Sequence, residues 1–310
     1  MAKQLISIGI PCFNEELNVQ SAYDSLKTET TKIKKYNFEY IFVDNGSLDK
    51  TRNKIMDLAK KDKQVRGIFL SRNFGPEATP QAALDYAKGD AFILFEGDLQ
   101  DPPELIPKFI KKWEEGYQEV LGSWTRVKGN IVGTFMRKIF YEVFSKISNT
   151  DMQMNAGSYG LIDKKVIDAL KQLPEKYRFY RGLRSWVGFK TTYLSYERQE
   201  RMRGKTSYHF LDYIKHAERG LFGFSYLVLD VILYGGLMVI FTSFVGILWY
   251  LFSVFGNGNR VNTSIPIMLA VVFFAGVQLL AIGIIGKYIH IVMEEAKGRP
   301  VYIVDKVINA

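Results

Sequence analysis

Residues 95–104 read Phe-Glu-Gly-Asp-Leu-Gln-Asp-Pro-Pro-Glu, which sets Glu96, Asp98, Asp101 and Glu104 directly behind an apolar run at 91–95. Carboxylates at the end of a buried strand are suited to holding a cation. Hard oxygen donors on a short bent segment favour Mg2+ or Mn2+, ions that commonly complete their shell with substrate phosphates. In an open α/β sheet, ligands bind outside the carboxyl ends of the strands. Two readings fit these residues: a nucleotide-diphosphate site, or an acidic turn before Pro102 and Pro103 that caps a helix over 104–113.

The elements that must position these groups follow from the hydrophobic pattern. Apolar runs at 5–12, 40–43 and 65–70 each end in polar turn chemistry: Pro-Cys-Phe-Asn-Glu-Glu at 11–16, Asp-Asn-Gly-Ser-Leu-Asp at 44–49 and Ser-Arg-Asn-Phe-Gly at 71–75. Segments of helical period at 19–27 and 51–60 separate them. Strand and helix therefore alternate, which predicts a mainly parallel sheet with helices on both faces.

Together with Gly-Asp-Leu-Gln-Asp-Pro-Pro-Glu at 97–104, Arg-Gly-Leu-Arg-Ser-Trp-Val-Gly-Phe at 181–189 and Gly-Arg-Pro-Val-Tyr-Ile-Val at 298–304, these motifs resemble glycosyltransferase family 2 over nearly the whole chain. The resemblance is to its polyprenyl-phosphate branch, of the bactoprenol glucosyltransferase and dolichol-phosphate mannose synthase type. It implies a Rossmann-like GT-A fold and an inverting transfer of a sugar from a nucleotide donor to undecaprenyl phosphate on the cytoplasmic leaflet. UDP-glucose is the expected donor; N-acetylglucosamine, mannose or modified arabinose are alternatives that no residue decides. The resemblance further implies Mg2+ or Mn2+ held by Asp98, with Glu96 and Gln100 as additional ligands. Glu96 stands where the family has the first aspartate of its Asp-x-Asp motif. Pro11, Phe13, Glu15, Asp44 and Asn45 resemble the nucleoside pocket, although each also suits a turn. Arg72 reaches either the diphosphate or one of these acids.

Besides Glu96, three positions depart from the family pattern. Asn-Ala-Gly-Ser-Tyr-Gly at 155–160 puts Ser158 where an aspartate is expected and Gly160 where an arginine is expected, and Trp124 replaces a frequent arginine. A phosphomonoester has a second pKa of roughly 6, so the acceptor is already anionic near neutral pH and needs no strong base. Ser158 is then a positioning residue in the catalytic set with Asp98 and Arg201. Arg201 matches a family arginine near the phosphates, with Arg203 and Lys205 as helpers and Arg126 and Arg137 as further residues for the acceptor phosphate. For each cation a solvated basic face is the alternative. The departures at Glu96, Ser158 and Trp124 leave open a non-catalytic protein that binds nucleotide sugars or anchors a partner.

Stretches 231–255 and 261–286 carry no charge, and each exceeds the roughly 20 residues that cross a ~30 Å hydrocarbon core. The expected organisation is a cytoplasmic catalytic domain at 1–226 with interfacial helices, a two-helix membrane anchor at 227–290 and a cytoplasmic tail at 291–310; two buried helices of a soluble core are the alternative. Arg201, Arg203, Lys205, Lys215 and Arg219 precede the first span and Lys287, Lys297 and Arg299 follow the second, whereas the loop between carries only Arg260. That asymmetry predicts that both termini are cytoplasmic; the resemblance implies that the membrane is the bacterial inner membrane, which the chain would cross more than once. Residues 5–10 are too short and strand-like for a signal peptide. The lone Cys12 fits a reducing compartment. The net charge of +9 gathers toward the membrane-adjacent part rather than on a groove-reading helix, which argues against nucleic acid. Apolar residues recur every three or four positions over 131–148, with Arg137, Lys138 and Lys146 between them, predicting a helix in the lipid interface or against a core. Residues 210–224 form a second such candidate. Small residues in the spans would permit homo-oligomers.

Overall fold

Burial on both faces is what makes strands of the apolar runs. The computed structural model describes residues 3–125, 156–199, 227–257 and 264–309. β1 (Leu5–Cys12) sends Ile6, Ile8 and Ile10 into one core, and β2 (Asn37–Asp44) sends Phe38, Tyr40 and Phe42 there while Ile41 and Val43 enter a second core. β3 (Val65–Leu70) and β4 (Ala91–Leu94) are likewise buried along their length. A strand apolar on both faces must lie inside a sheet covered on both sides.

The cover is helical. α1 (Val19–Thr30), α2 (Thr51–Lys61) and α4 (Ile106–Glu114) pack on the first face; α3 (Ala78–Tyr86), α5 (Lys164–Gln172) and α6 (Tyr180–Trp186) pack on the second. With β5 (Glu119–Trp124), β6 (Ala156–Asp163), β7 (Thr191–Tyr196) and β8 (Val304–Ile308), the sheet has eight strands in the order β7-β5-β6-β4-β1-β2-β3-β8. β6 runs antiparallel to both β4 and β5, β8 runs antiparallel to β3, and the other pairs are parallel. The chain leaves β1 toward β2 and β3, then returns to place β4 on β1's other side. The carboxyl ends of β1 and β4 thus flank the point where strand order reverses, the expected ligand crevice.

Beyond the sheet lie two long helices, α7 (Leu227–Asn257) and α8 (Ser264–Ala296). Large apolar side chains stand exposed along both, including Trp249 at 72% and Leu279 at 71%. Among the described residues one stretch, Phe273–Ala296, is long and apolar enough to cross a membrane, while α7 contributes the shorter apolar stretch Leu229–Val239. The expected pair of spans is therefore established only as a pair of long apolar helices. The expected interfacial helices at 131–148 and 210–224 lie outside the described residues.

After α8 the chain returns to the sheet. Glu295 accepts the backbone N–H groups of Lys176 (2.9 Å) and Tyr177 (2.7 Å), Tyr302 donates to Asp85 (2.7 Å), and Arg52 pairs with Asp305. β8 then covers the edge of β3, with Val304 and Val307 on the second core, and Asn309 donates to the carbonyls of Ala59 and Val65 at 2.6 and 2.8 Å. An uncovered β3 would present unpaired backbone groups and an apolar rim. A chain ending at residue 303 should lose roughly 3 kcal/mol of stability through those lost contacts. Thermal unfolding in detergent checks this, and an unchanged melting temperature would contradict it.

Candidate active site

Glu96, Asp98 and Asp101 lie on the loop that leaves β4. The loop bends sharply: Leu99 adopts a left-handed conformation (φ 61°), and a side chain on Gly97 would meet the Pro11 carbonyl at 3.0 Å. That close approach draws the acidic loop against the end of β1. The starts of the short 3-10 turn Pro103–Leu105 and of α4 receive no side-chain cap hydrogen bond, and of the four acids Glu104 lies in the first turn of the former, where a negative charge is favoured. The backbone N–H of Gln100 donates to Asp98 Oδ1 at 3.1 Å.

The acids meet a cation that sequence reasoning did not single out. Arg198, just after β7, reaches Glu96 with Nη2 at 3.1 Å and lies with Nε 3.6 Å from Asp101. Tyr196 donates its hydroxyl to Asp101, and Gln199 and Gln100 exchange hydrogen bonds, backbone N–H to backbone carbonyl at 3.1 Å and side-chain amide to carbonyl at 3.3 Å. Burial opposes the charge on Arg198, yet the carboxylates of Glu96, Asp101 and Asp98 outweigh it and raise its pKa. Asp101 is 3% exposed; burial and the neighbouring Glu96 push its carboxyl well up, against Arg198 and Tyr196. The only local hint was Arg198's place three residues before Arg201.

Beside this loop, the ends of β1 and β2 are tied together. Asn14, in a left-handed conformation (φ 54°), donates its N–H to Ser47 Oγ at 2.9 Å, and its Oδ1 accepts from the Leu48 N–H at 2.9 Å. Glu15 donates its N–H to Thr51 and accepts from Asn18 through its carboxylate. Asn45 is a staple: its amide donates to Asn73 Oδ1 and the Gly75 carbonyl, and its carbonyl oxygen accepts from the Phe74 N–H. Gly46 makes this possible, because at φ +69° a side chain would strike the Arg72 backbone at 2.6 Å. Arg72 itself is exposed, stacks on Phe74 at 4.1 Å and donates to the Asn73 carbonyl rather than to an acid. Asp44 is the exception to this self-sufficiency. It is fully buried, Oδ1 accepts from the Ser47 N–H at 3.1 Å, and Oδ2 has no hydrogen-bond partner, so burial raises its pKa. A buried unpaired acceptor is costly and marks a place for an incoming donor.

Ser158 lies toward α6. Its hydroxyl accepts from Arg181 Nε at 3.1 Å, and Arg184 donates to the carbonyls of Gly157 (2.9 Å) and Ser158 (3.3 Å). Arg184 also lies 4.0 Å from Glu119, both almost completely buried. Pro11 and Phe13 fall at the end of β1 beside the crevice; Arg126, Arg137, Arg201, Arg203 and Lys205 lie outside the described residues.

Among the described residues no group of three or more His, Cys, Asp and Glu side chains is arranged to hold a metal ion by itself. Mg2+ and Mn2+ at nucleotide sites need only one or two carboxylates plus phosphate oxygens. Glu96 and Asp98, in a loop charged enough to retain Arg198, are hard donors of that kind and fit such an ion.

A family model described as glycosyl transferase family 2 matches residues 7–171. An uncharacterised glycosyltransferase of Synechocystis sp. is 38% identical over 300 residues, covering 96% of this chain and 94% of its own. A prophage bactoprenol glucosyl transferase homolog of Escherichia coli is 36% identical over 305 residues, covering 97% and 99%. The bactoprenol glucosyl transferase of Shigella phage SfII is 36% identical over 304 residues and 97% of each chain. Among solved structures, glucosyl-3-phosphoglycerate synthase from Mycobacterium tuberculosis aligns with a TM-score of 0.48 and 17% identity over 70% of this chain and 76% of that one.

Burial pushes the Glu119 carboxyl from an ordinary 4.5 to about 7, with Arg184 and Thr191 opposing the shift. The folded state then holds the proton more tightly than the unfolded one. Its stabilising contribution is complete below pH 4.5 and lost as pH rises toward 7, by at most about 3 kcal/mol. Glu119→Gln should flatten that part of the stability profile. Melting curves of both proteins at pH 5 and 7.5 provide the check; parallel profiles would contradict it.

Proposed function

We propose, from the premise that the chain belongs to glycosyl transferase family 2, that it transfers glucose from UDP-glucose to undecaprenyl phosphate at the cytoplasmic face of a membrane. The observation that carries this reading is the 36% identity to bactoprenol glucosyl transferases across 97% of the chain, which takes in both the sheet and the long apolar helices. The catalytic domain is residues 1–226, α7 and α8 form a two-pass anchor, and the tail from 291 returns to the sheet.

In this reading the nucleoside lies across the ends of β1 and β2, against Pro11, Phe13 and Glu15, with the unpaired Oδ2 of Asp44 accepting from it and Asn45 holding the loop that frames it. Arg72, free to leave its stack on Phe74, faces the phosphates. Asp98, with Glu96 and Gln100, holds Mg2+ or Mn2+, which supplies charge neutralisation for the departing diphosphate. An oxygen of the lipid phosphate attacks the anomeric carbon as the bond to the UDP oxygen breaks. UDP and a β-linked lipid-phospho-sugar result, with no proton removed from the nucleophile. Arg201, with Arg203, Lys205, Arg126 and Arg137, neutralises the acceptor side; bidentate guanidinium contacts serve this best.

Asp98→Ala should abolish transfer while leaving membrane insertion intact, and Glu96→Asp should retain activity because it keeps the charge on a shorter arm. Initial rates with and without added Mn2+ decide this: near-normal, metal-dependent turnover of Asp98→Ala would contradict it. For the anchor, cysteine placed at Asn259 in a Cys12→Ser protein should react with a membrane-impermeant thiol reagent on intact cells, and cysteine at Asn309 should not. The reverse pattern would overturn the cytoplasmic placement of the donor site.

A further inference from the structure

Arg198 is held more loosely than the buried guanidinium groups elsewhere in the sheet domain. Arg66 donates to Glu39 at 3.0 Å and to the Tyr86 carbonyl at 2.6 Å, Arg178 to the carbonyls of Leu170, Leu173 and Glu175, and Arg184 to those of Gly157 and Ser158. Among the described residues Arg198 makes one hydrogen bond, from Nη2 to Glu96 Oε2 at 3.1 Å. Its Nε lies 3.6 Å from Asp101 Oδ1 and has no hydrogen-bond partner. A fork able to grip one carboxylate through two parallel bonds is here stretched between two acids.

The two acids differ. The Glu96 side chain is 34% exposed, whereas that of Asp101 is 3% exposed and already accepts from Tyr196. Arg198 thus stands between a carboxylate open to solvent and one sealed away from it. The backbone around it is pinned, because Tyr196 is buried and Gln199 donates its N–H to the Gln100 carbonyl at 3.1 Å. A change of partner by Arg198 therefore needs only side-chain rotation. Its guanidinium also lies 5.3 Å from the Trp124 ring, an aromatic face that holds the charge whichever acid it bonds. Glu96 and Trp124, which both depart from the family pattern, meet at this arginine.

Three carboxylates against one guanidinium leave the loop short of positive charge. A divalent ion would supply it, but like charges repel, so ion and guanidinium cannot both hold Glu96 at full strength. We propose that Arg198 is the resident counter-cation of the metal site: it competes with the divalent ion for Glu96 and, when the ion binds, gives up that carboxylate and closes onto Asp101. The proposal rests on the reading above that Glu96 and Asp98 hold the ion. Its consequence is an arginine that keeps the acidic loop in shape before the ion arrives and weakens the ion's hold in return.

The test is Mn2+ binding by the purified full chain in detergent, with and without saturating UDP, read from the free-ion signal in electron paramagnetic resonance. Arg198→Gln should bind Mn2+ about tenfold or more tighter than the unaltered chain, because a charge a few ångströms away shifts such an equilibrium by roughly one to three powers of ten. Arg198→Lys keeps the charge and should stay within about threefold of the unaltered chain. Glu96→Asp draws the carboxylate back by a methylene and removes no charge. Losing its hydrogen bond to Arg198 should tighten binding about two- to tenfold, and this variant carries the test if Arg198→Gln does not fold. Mn2+ should also raise the melting temperature of Arg198→Gln by more than that of the unaltered chain. No tightening in Glu96→Asp or in folded Arg198→Gln, while Asp98→Ala loses binding, would overturn the proposal alone. Asp98→Ala that binds Mn2+ as the unaltered chain does would overturn the metal reading, and the proposal with it.

Discussion

Three carboxylates cannot crowd the end of one buried strand without a cation among them, and this constraint organises the catalytic half of the molecule. Glu96, Asp98 and the almost fully buried Asp101 are held together by Arg198. Like charges in a medium of low dielectric repel strongly, so the loop keeps its shape only while that charge is met. Meeting it from β7 has a structural consequence. The segment 196–199 is tied to 100–101 by Tyr196, Gln100 and Gln199, so the outer strands are locked to the strand that carries the acids. Tyr159 strengthens the junction by donating to the Pro102 carbonyl while packing edge-on against Phe95, Phe109 and Tyr196.

The two ends of the sheet treat buried charge differently. At the amino end Glu39 is buried with Arg66 at 3.0 Å, and Ser7 and the Lys88 N–H complete its shell. That carboxylate is fully employed inside the protein, and its role is architectural. At the carboxyl end Asp44 keeps an unpartnered oxygen, Asp101 is pushed toward its neutral form, and Arg181 lacks a carboxylate among the described residues. Arg66 Nε and Glu119 Oε1 also lack a hydrogen-bond partner, so incomplete pairing is not confined to the carboxyl end; there, a polar substrate would complete it.

Much of this was legible in the chain. β1 and β3 run over the residues that the apolar pattern marks, because strands buried on both faces write their limits as uninterrupted hydrophobic runs. α1 outlasts its apolar stripe by three residues, to Thr30, whose hydroxyl bonds back to the Leu26 carbonyl. The acidic loop and the turns after β1 and β2 were visible for the same reason: Asn, Asp and Gly carry their local geometry with them. Strand order was not legible. That β6 inserts antiparallel between β4 and β5, and that β8 returns from the far side of α8 to β3, depend on pairings hundreds of residues apart in the extreme case and leave no local pattern. Arg198 and Arg181 escaped notice on the same ground, since their partners Glu96 and Ser158 lie 102 and 23 residues away.

The central claim is that the acidic crevice and the apolar helices serve one reaction, joining a nucleotide-activated sugar to a lipid phosphate. Its most direct measurement incubates the purified chain with UDP-[14C]glucose, a divalent metal and undecaprenyl phosphate, extracts the lipid phase, and determines the configuration of any sugar bound there. Label in the lipid phase as a β-linked phosphodiester, dependent on both lipid phosphate and metal, is the predicted result. Label that remains entirely in the aqueous phase while the nucleotide still binds, or that enters an unphosphorylated acceptor, would contradict the account.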